Sequence, residues 1–141
     1  MYAVVFDVNV LVSSSITKGK PKELWLRARA NEYILVLSSH IISEFIDVVS
    51  GRKFDKYVKE YDIRIFLEAL HRTAKFTQTR SRFKVVKEDP TDDIILRTAY
   101  DDKADYIVSG DKHLLSLGEF RRIKILTVDG MLNILKSEGS S

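Results

Sequence analysis

The sequence predicts an α/β fold, a single-domain three-layer α/β/α arrangement with a central parallel sheet. Short apolar runs alternate along the chain with longer amphipathic stretches, which is typical of parallel strands joined by helices. The chain has 141 residues, 45% hydrophobic and 30% charged, which suits one compact core. Because no repeat, low-complexity tract or linker divides it, we predict one domain over residues 1–137 and a flexible tail over residues 138–141.

The first half of the chain predicts two buried strands with helices after each. Residues 2–6 form an apolar run predicted to be a strand, followed by a short helix at 9–15 and a longer one at 21–30. Residues 34–37 give the second strand. We expect Ser39 to cap the next helix, which continues through Val49 and stops at Gly51.

The second half continues the alternation. Residues 53–75 predict two amphipathic helices with a break near residues 61–62. Three further strands are predicted at residues 83–86, 106–108 and 123–126, and three further helices at 92–102, 112–117 and 129–136. This order places each strand beside a helix, as a doubly covered parallel sheet requires.

Composition excludes several classes of protein. The chain has no cysteine, so disulfides, thiol catalysis and cysteine-bound zinc are excluded. Its formal net charge of +3 permits a polyanionic partner without requiring one. No segment approaches the roughly 18 apolar residues of a membrane span, and the amino terminus runs straight into an apolar strand. We therefore expect a cytoplasmic protein with no membrane partner.

Two acidic residues follow predicted strands. Asp7 comes directly after the first strand, and Asp111 follows the 106–108 strand after a Ser109–Gly110 turn. Because chemistry in such sheets gathers at the carboxyl ends of the strands, we expect these two side chains to lie close together. Asp105 precedes its strand, so we predict a structural role for it at the opposite edge.

Helical phase selects two more acids. The residues three, four and seven positions after Asp92 are all apolar, so Asp92 should face the sheet, whereas Asp93 should lie nearer solvent. Glu44 falls on the rim of an apolar helix stripe. Several carboxylates converging on one spot repel each other, and a hard divalent cation among them relieves that repulsion. Capping of helix starts remains the alternative for Asp7, Asp92 and Asp111, and an unseen basic partner for Glu44.

Four segments with these acids resemble the motifs of PIN-domain nucleases. They are residues 4–12 (VVFDVNVLV), the segment 38–44, residues 89–93 (DPTDD) and residues 104–111 (ADYIVSGD), in the family's order and across nearly the whole chain. The resemblance is closest to toxins of type II toxin–antitoxin systems. It implies that Asp7, Glu44, Asp92 and Asp111 hold Mg²⁺ or Mn²⁺ and cleave RNA.

One position departs from the family pattern. Val8 stands where the family usually has Thr or Ser, so a hydroxyl that often supports the site is missing. Asn9 is retained and can bond a carboxylate or a metal-bound water. Ser109, together with Asn9 and Asp93, is a candidate supporting residue, and Ser13 is a further candidate to replace the hydroxyl.

The ligand set predicts the chemistry. Oxygen-only coordination suits Mg²⁺ or Mn²⁺ over zinc, and such ions activate water for phosphodiester hydrolysis without a protein nucleophile. Cations near the acids are candidate phosphate contacts. They are Lys18, Lys20, Arg82 and Lys112, with Lys22, Arg80, Lys84 and Lys87 beside them in the sequence.

Two other functions and two partners remain open. A degenerate PIN domain would bind nucleic acid or protein without catalysis, and Val8 favours that alternative. A phosphatase-like or phospho-acceptor domain also places an aspartate after its first strand, but Asn9 stands where the phosphatase needs a second aspartate.

Family resemblance implies a homodimer and a cognate antitoxin. The many apolar residues between positions 21 and 75, Trp25 and Phe54 among them, suggest that the dimer interface lies there.

Overall fold

A computed structural model describes residues 1–16, 18–51, 60–86 and 89–139 of the chain. The strands of these ranges are β1 (Ala3–Phe6), β2 (Ile34–Leu37), β3 (Lys75–Phe76), β4 (Tyr106–Val108), β5 (Glu119–Phe120) and β6 (Ile123–Leu126). The helices are α1 (Val8–Ile16), α2 (Lys20–Arg29), α3 (Ser39–Val49), α4 (Glu60–Thr73), α5 (Pro90–Asp102), α6 (Lys112–Leu117) and α7 (Val128–Gly139). They form a three-layer α/β/α domain, which confirms the predicted fold class. None of the helices described is long and apolar enough to cross a membrane.

The sheet reverses its winding direction beside β1. Its strand order is β3-β2-β1-β4-β6-β5, and every neighbouring pair is parallel except β5 with β6. The chain builds outward from β1 through β2 to β3, then returns to place β4 on the other side of β1. Such a switch point opens a crevice at the carboxyl ends of the two strands. Phe6 pairs there with Val108, and the Asp7 N–H donates to the Val108 carbonyl at 3.0 Å.

The strand predicted at residues 83–86 is wrong. These residues belong to an irregular segment, residues 77–86, which we call the strap. The N–H groups of Val85 and Val86 donate to the Asp93 carboxylate at 2.8 and 3.0 Å, so their hydrogen bonds go to a side chain and not to a neighbouring strand. The strand of this region forms earlier instead, as the two-residue β3 on the edge of β2.

Three other boundaries differ from the prediction. Helix α4 runs unbroken through residues 61–62, and the helix predicted before it lies largely outside the described residues. Ser38, and not Ser39, caps α3, because its hydroxyl accepts the Ile41 N–H at 3.4 Å. Helix α7 runs from Val128 to Gly139 and is therefore longer than the helix predicted at residues 129–136.

A polar stripe on α5 holds the strap against the helix. Asp101 accepts the N–H groups of Arg80 and Ser81, Arg97 donates to the Phe83 carbonyl at 2.8 Å, and Asp93 accepts from Val85 and Val86. These three helix residues are four positions apart and therefore share a face. The expectation that Asp93 lies near solvent is wrong: its side chain is buried because it satisfies strap backbone.

Candidate metal centre

The four acids predicted from the sequence line one cavity at the carboxyl ends of β1 and β4. The cavity has a volume of about 170 Å³. Asp7 reaches it from the end of β1, Asp111 from the loop after β4, Glu44 from α3 and Asp92 from the first turn of α5. The other lining residues are Val8, Asn9, Val48, Asp89, Thr91 and Ile95.

Three carboxylates form a tighter group within this cavity. One oxygen each from Asp89, Asp92 and Asp111 lies within 4.8 Å of the others. Asp89 was not among the predicted ligands, although the Asp89–Pro90 step marks the start of α5 three residues before Asp92 and was the available signal. Asp7 and Glu44 line the same cavity but are not members of this group of three.

Ser109 ties the ends of the two central strands together. Its hydroxyl donates to Oδ2 of Asp7, and the Ser109 Oγ accepts the Asp111 N–H at 2.9 Å. The other Asp7 oxygen, Oδ1, accepts the Val10 N–H at 2.8 Å. Because Ser109 is fully buried, these bonds hold Asp7 and Asp111 in a fixed relation at the switch point.

Capping accounts for part of the acidic pattern. Oδ1 of Asp111 accepts the N–H groups of His113 and Leu114 at 2.7 and 3.4 Å, and Oδ1 of Asp89 accepts the Thr91 N–H at 2.9 Å. The capping alternative is therefore correct for Asp111, and for Asp7 at the start of α1. These bonds involve only Oδ1 of each carboxylate, so capping and metal binding by the same residue are compatible. Asp92 lies inside the first turn of α5, whose cap is Asp89.

Asp92 is the side chain that capping does not explain. It is only 5% exposed, and its Oδ2 is buried without a hydrogen-bond partner among the described residues. Burial, followed by the charges of Asp111, Asp89 and Asp7, raises the pKa of Asp92 to about 7. A buried carboxylate oxygen without a partner is costly, and a hard cation supplies the missing interaction. The residues present therefore fit a divalent metal ion with oxygen ligands.

The pKa of Asp7 is raised as well. Burial is the main cause and the charge of Asp111 adds to it, while the bonds from Ser109 and Val10 act in the opposite direction. Like-charge crowding thus contributes at both aspartates, but the loss of solvent contributes more. Burial and like-charge repulsion together make the ionised carboxylates energetically unfavourable until a cation neutralises their charge.

The supporting residues fall into two groups. Asn9 is exposed and lines the cavity. Val8 beside it is buried, so the position at which the family usually has Thr or Ser contributes an apolar side chain to the cavity wall. Ser109 supplies a hydroxyl to Asp7 from the neighbouring strand. Asp93, in contrast, does not line the cavity, and its carboxylate holds the strap.

The predicted phosphate contacts lie at four different places in the fold, outside the lining of the acidic cavity. Lys112 is exposed directly after Asp111. Lys20 pairs with Asp129 at 2.8 Å and lines an adjacent cavity that also includes Asn9 and Ser109. Lys18 lines a separate cavity on α2, and Arg82 is exposed on the strap.

Sequence comparison agrees with this geometry. Residues 3–113, which include all the cavity-lining acids, match the PIN domain family. A search among curated proteins found no match. The matched segment spans most of the chain, from β1 to the first residues of α6, and the family's fold is generally that of a metal-dependent nuclease. The chain therefore belongs to the PIN domain family.

Proposed function

We propose that this protein is a metal-dependent endoribonuclease that uses Mg²⁺ or Mn²⁺. The observation that carries the proposal is the partnerless Oδ2 of Asp92 in a group of three carboxylates. Asp89, Asp92 and Asp111 would bind the cation directly, and Asp7 and Glu44 would act from the walls of the same cavity. All of these ligands are oxygens, which favours Mg²⁺ or Mn²⁺ over zinc.

Several residues of the chain would each have a separate role in hydrolysis. A bound cation would lower the pKa of a water molecule and stabilise charge on the phosphate. Ser109 would orient Asp7 and favour its ionised form, because its hydroxyl donates to the carboxylate. Val8 and Ile95 would exclude bulk water from one side of the cavity, and Lys112 would contact a phosphate beside the acids.

RNA as the substrate and a role as a toxin rest on the family resemblance. Exposed cations near the acids suit a polyanionic strand, and the resemblance is closest to toxins of toxin–antitoxin pairs. A binding protein without catalysis is the second candidate, favoured by Val8. A phosphatase-like domain is weaker, because Asn9 stands where its second aspartate should be.

We expect the purified protein to cut single-stranded RNA internally when Mg²⁺ or Mn²⁺ is present, and EDTA to stop the reaction. Gel analysis of an end-labelled RNA measures both. Uncut RNA together with a melting temperature that Mn²⁺ does not raise would support the binding module. Release of phosphate from a phosphomonoester, with the RNA intact, would favour the phosphatase-like alternative.

We also propose a homodimer formed through α2, α3 and α4, with a cognate antitoxin segment bound in the same region. Most of the described apolar residues there are core: Trp25 is only 4% exposed and its ring packs edge-on to Phe66 at 5.1 Å. Phe54 lies outside the described residues. Among the described residues of these three helices, the exposed large apolar side chains are Leu26, Ile46 and Ile65, which are 52%, 38% and 47% exposed.

Sedimentation at micromolar concentration should give a dimer that Ile65→Lys converts to a monomer, because burying an unpaired charge in an apolar interface is unfavourable. Val85→Lys is the matched control, since Val85 is 38% exposed but lies on the strap. A monomeric wild-type protein would contradict the proposal. Co-expression with the product of an adjacent small gene tests the antitoxin.

A further inference from the structure

A second cavity lies away from the acidic site, and its lining is basic and aromatic. It has a volume of about 540 Å³, within the range of ligand pockets. We call it the turn cavity, because the β5–β6 turn forms one wall. The side chains that matter are Lys103, Arg121, Arg122, Lys124, Tyr100 and Tyr106.

The backbone presents three of these cations in an unusual conformation. Lys103, Arg121 and Arg122 have φ angles of 60°, 48° and 73°, in the left-handed region that glycine and asparagine favour. Arg121 and Arg122 form the two-residue turn between β5 and β6, where Asn-Gly would be the favoured pair. Three basic residues therefore accept backbone strain at one cavity, a pattern typical of functional positions.

Arg121 supports the cavity wall. Its guanidinium lies over the rings of Phe83, Tyr100 and Phe120, at 4.6, 4.8 and 5.1 Å from their centroids. These stacked contacts hold the turn against the strap and α5, because a planar cation packs well on aromatic faces. The turn cavity is thus a preformed concave surface.

The remaining cations are available to a ligand. Within the described part of the chain, no carboxylate lies within ion-pair distance of Lys103, Arg122 or Lys124. Asp105 is the acid that lines the cavity, and its Oδ2 already accepts the Ala3 N–H at 2.8 Å. The excess of positive charge beside tyrosine rings suits phosphates and bases of a nucleic acid strand.

The strap connects the turn cavity to the acidic site. Its contacts with α5 proceed in order from Asp101 through Arg97 to Asp93, so the strap runs from the turn-cavity end of the helix to the end that carries the acids. Arg82 and Lys84 are exposed along this path. Helix α5 has 13 residues, which is roughly 20 Å at about 1.5 Å per residue.

We propose that the turn cavity holds phosphates of the RNA strand several nucleotides from the cut, with the strap cations along the path between. This inference rests on the proposed function, since RNA is the assumed substrate. The span between the cavity and the acids requires a strand of roughly four nucleotides or more, at the low end of single-strand binding sites. Binding of an RNA that is too short to span this distance should not depend on the turn cavity.

The test compares labelled single-stranded RNA of two and twelve nucleotides by fluorescence anisotropy in EDTA, where cleavage is absent. We expect Arg122→Gly to weaken binding of the longer RNA about 5-fold and to lower the salt slope by about one, because one phosphate contact is lost. The shorter RNA should bind unchanged. Glycine suits the left-handed backbone, so the variant should fold at least as stably as wild type.

Lys136→Ala removes the same charge from the exposed end of α7 and is the matched control, with no expected change. Equal binding of the longer RNA by wild type and Arg122→Gly would overturn the proposal. So would tight binding of a free nucleoside monophosphate that Arg122→Gly abolishes, because the cavity would then serve a free nucleotide. If the wild type does not cut RNA but shows the length-dependent binding, the turn cavity stands and the nuclease proposal fails.

Discussion

The Asp92→Asn protein should cut RNA at least roughly 100-fold more slowly than wild type, because even residues that only orient metal ligands cause losses of about 10- to 100-fold. Asp92 contributes the buried oxygen that has no protein partner among the described residues. An amide in its place carries no charge, so the remaining carboxylates would hold a divalent cation far more weakly. Raising the Mn²⁺ concentration should recover part of the rate.

The adjacent residue provides a matched control. Asp93 is also buried in the first turn of α5, but its carboxylate accepts the N–H groups of Val85 and Val86 at 2.8 and 3.0 Å. Asp93→Asn weakens charge-assisted bonds to the strap and should cost about 1 kcal/mol of unfolding free energy. Its cleavage rate, measured well below the melting temperature, should stay near that of wild type.

The two variants separate catalysis from folding. Asp92→Asn should lose activity without losing stability, and Asp93→Asn should do the reverse. Initial cleavage rates and thermal unfolding on the same protein preparations measure both. Wild-type rates from Asp92→Asn, prepared free of host nuclease, would rule out the proposed metal centre.

The sheet and the residues at its carboxyl edge were predictable because they depend on local patterns. Buried parallel strands are continuous apolar runs, so β1, β2, β4 and β6 stand out in the sequence. Asp7 and Asp111 follow two of these strands, and helical phase distinguished Asp92 from Asp93. Of these two residues only Asp92 lines the acidic cavity, as predicted, although Asp93 is buried and not near solvent.

The strap could not be predicted because its hydrogen bonds go to side chains on α5. The composition of residues 83–86 predicts a strand, yet the N–H groups of Val85 and Val86 bond to Asp93, which is 7 to 8 positions away along the chain. Asp89 was overlooked for a related reason. Asp89 neither follows a strand nor lies on the apolar face of a helix, and only the geometry places this capping residue beside Asp92 and Asp111.

The contribution of Asp92 to the stability of the metal-free protein should fall as pH rises from about 4 to about 7. The folded pKa of Asp92 is raised to about 7 from its usual 3.8. Between these values the folded state keeps a proton that the unfolded state has released, so the unfolding free energy decreases with rising pH. Above pH 7 Asp92 is ionised in both states, and the folded state carries the full free-energy cost of its buried charge.

Asp92→Asn should therefore stabilise the metal-free protein at pH 8 by on the order of 2 kcal/mol, allowing for partial solvent access through the cavity. For a domain of this size, that is a rise in melting temperature of roughly 5–8 °C. At pH 4 the gain should be small, because Asp92 is protonated when folded. Thermal unfolding in EDTA at both pH values measures the difference.

At pH 8, Mn²⁺ should make wild type more stable than Asp92→Asn, which reverses the order of stability expected in EDTA. A cation that binds only the folded state raises its stability in proportion to the logarithm of its concentration above the dissociation constant. Wild type, with its full set of carboxylates, should be stabilised strongly and Asp92→Asn only weakly. A variant that is less stable than wild type in EDTA at pH 8 would show that Asp92 supports the fold, and its crowding with Asp89 and Asp111 would need another explanation.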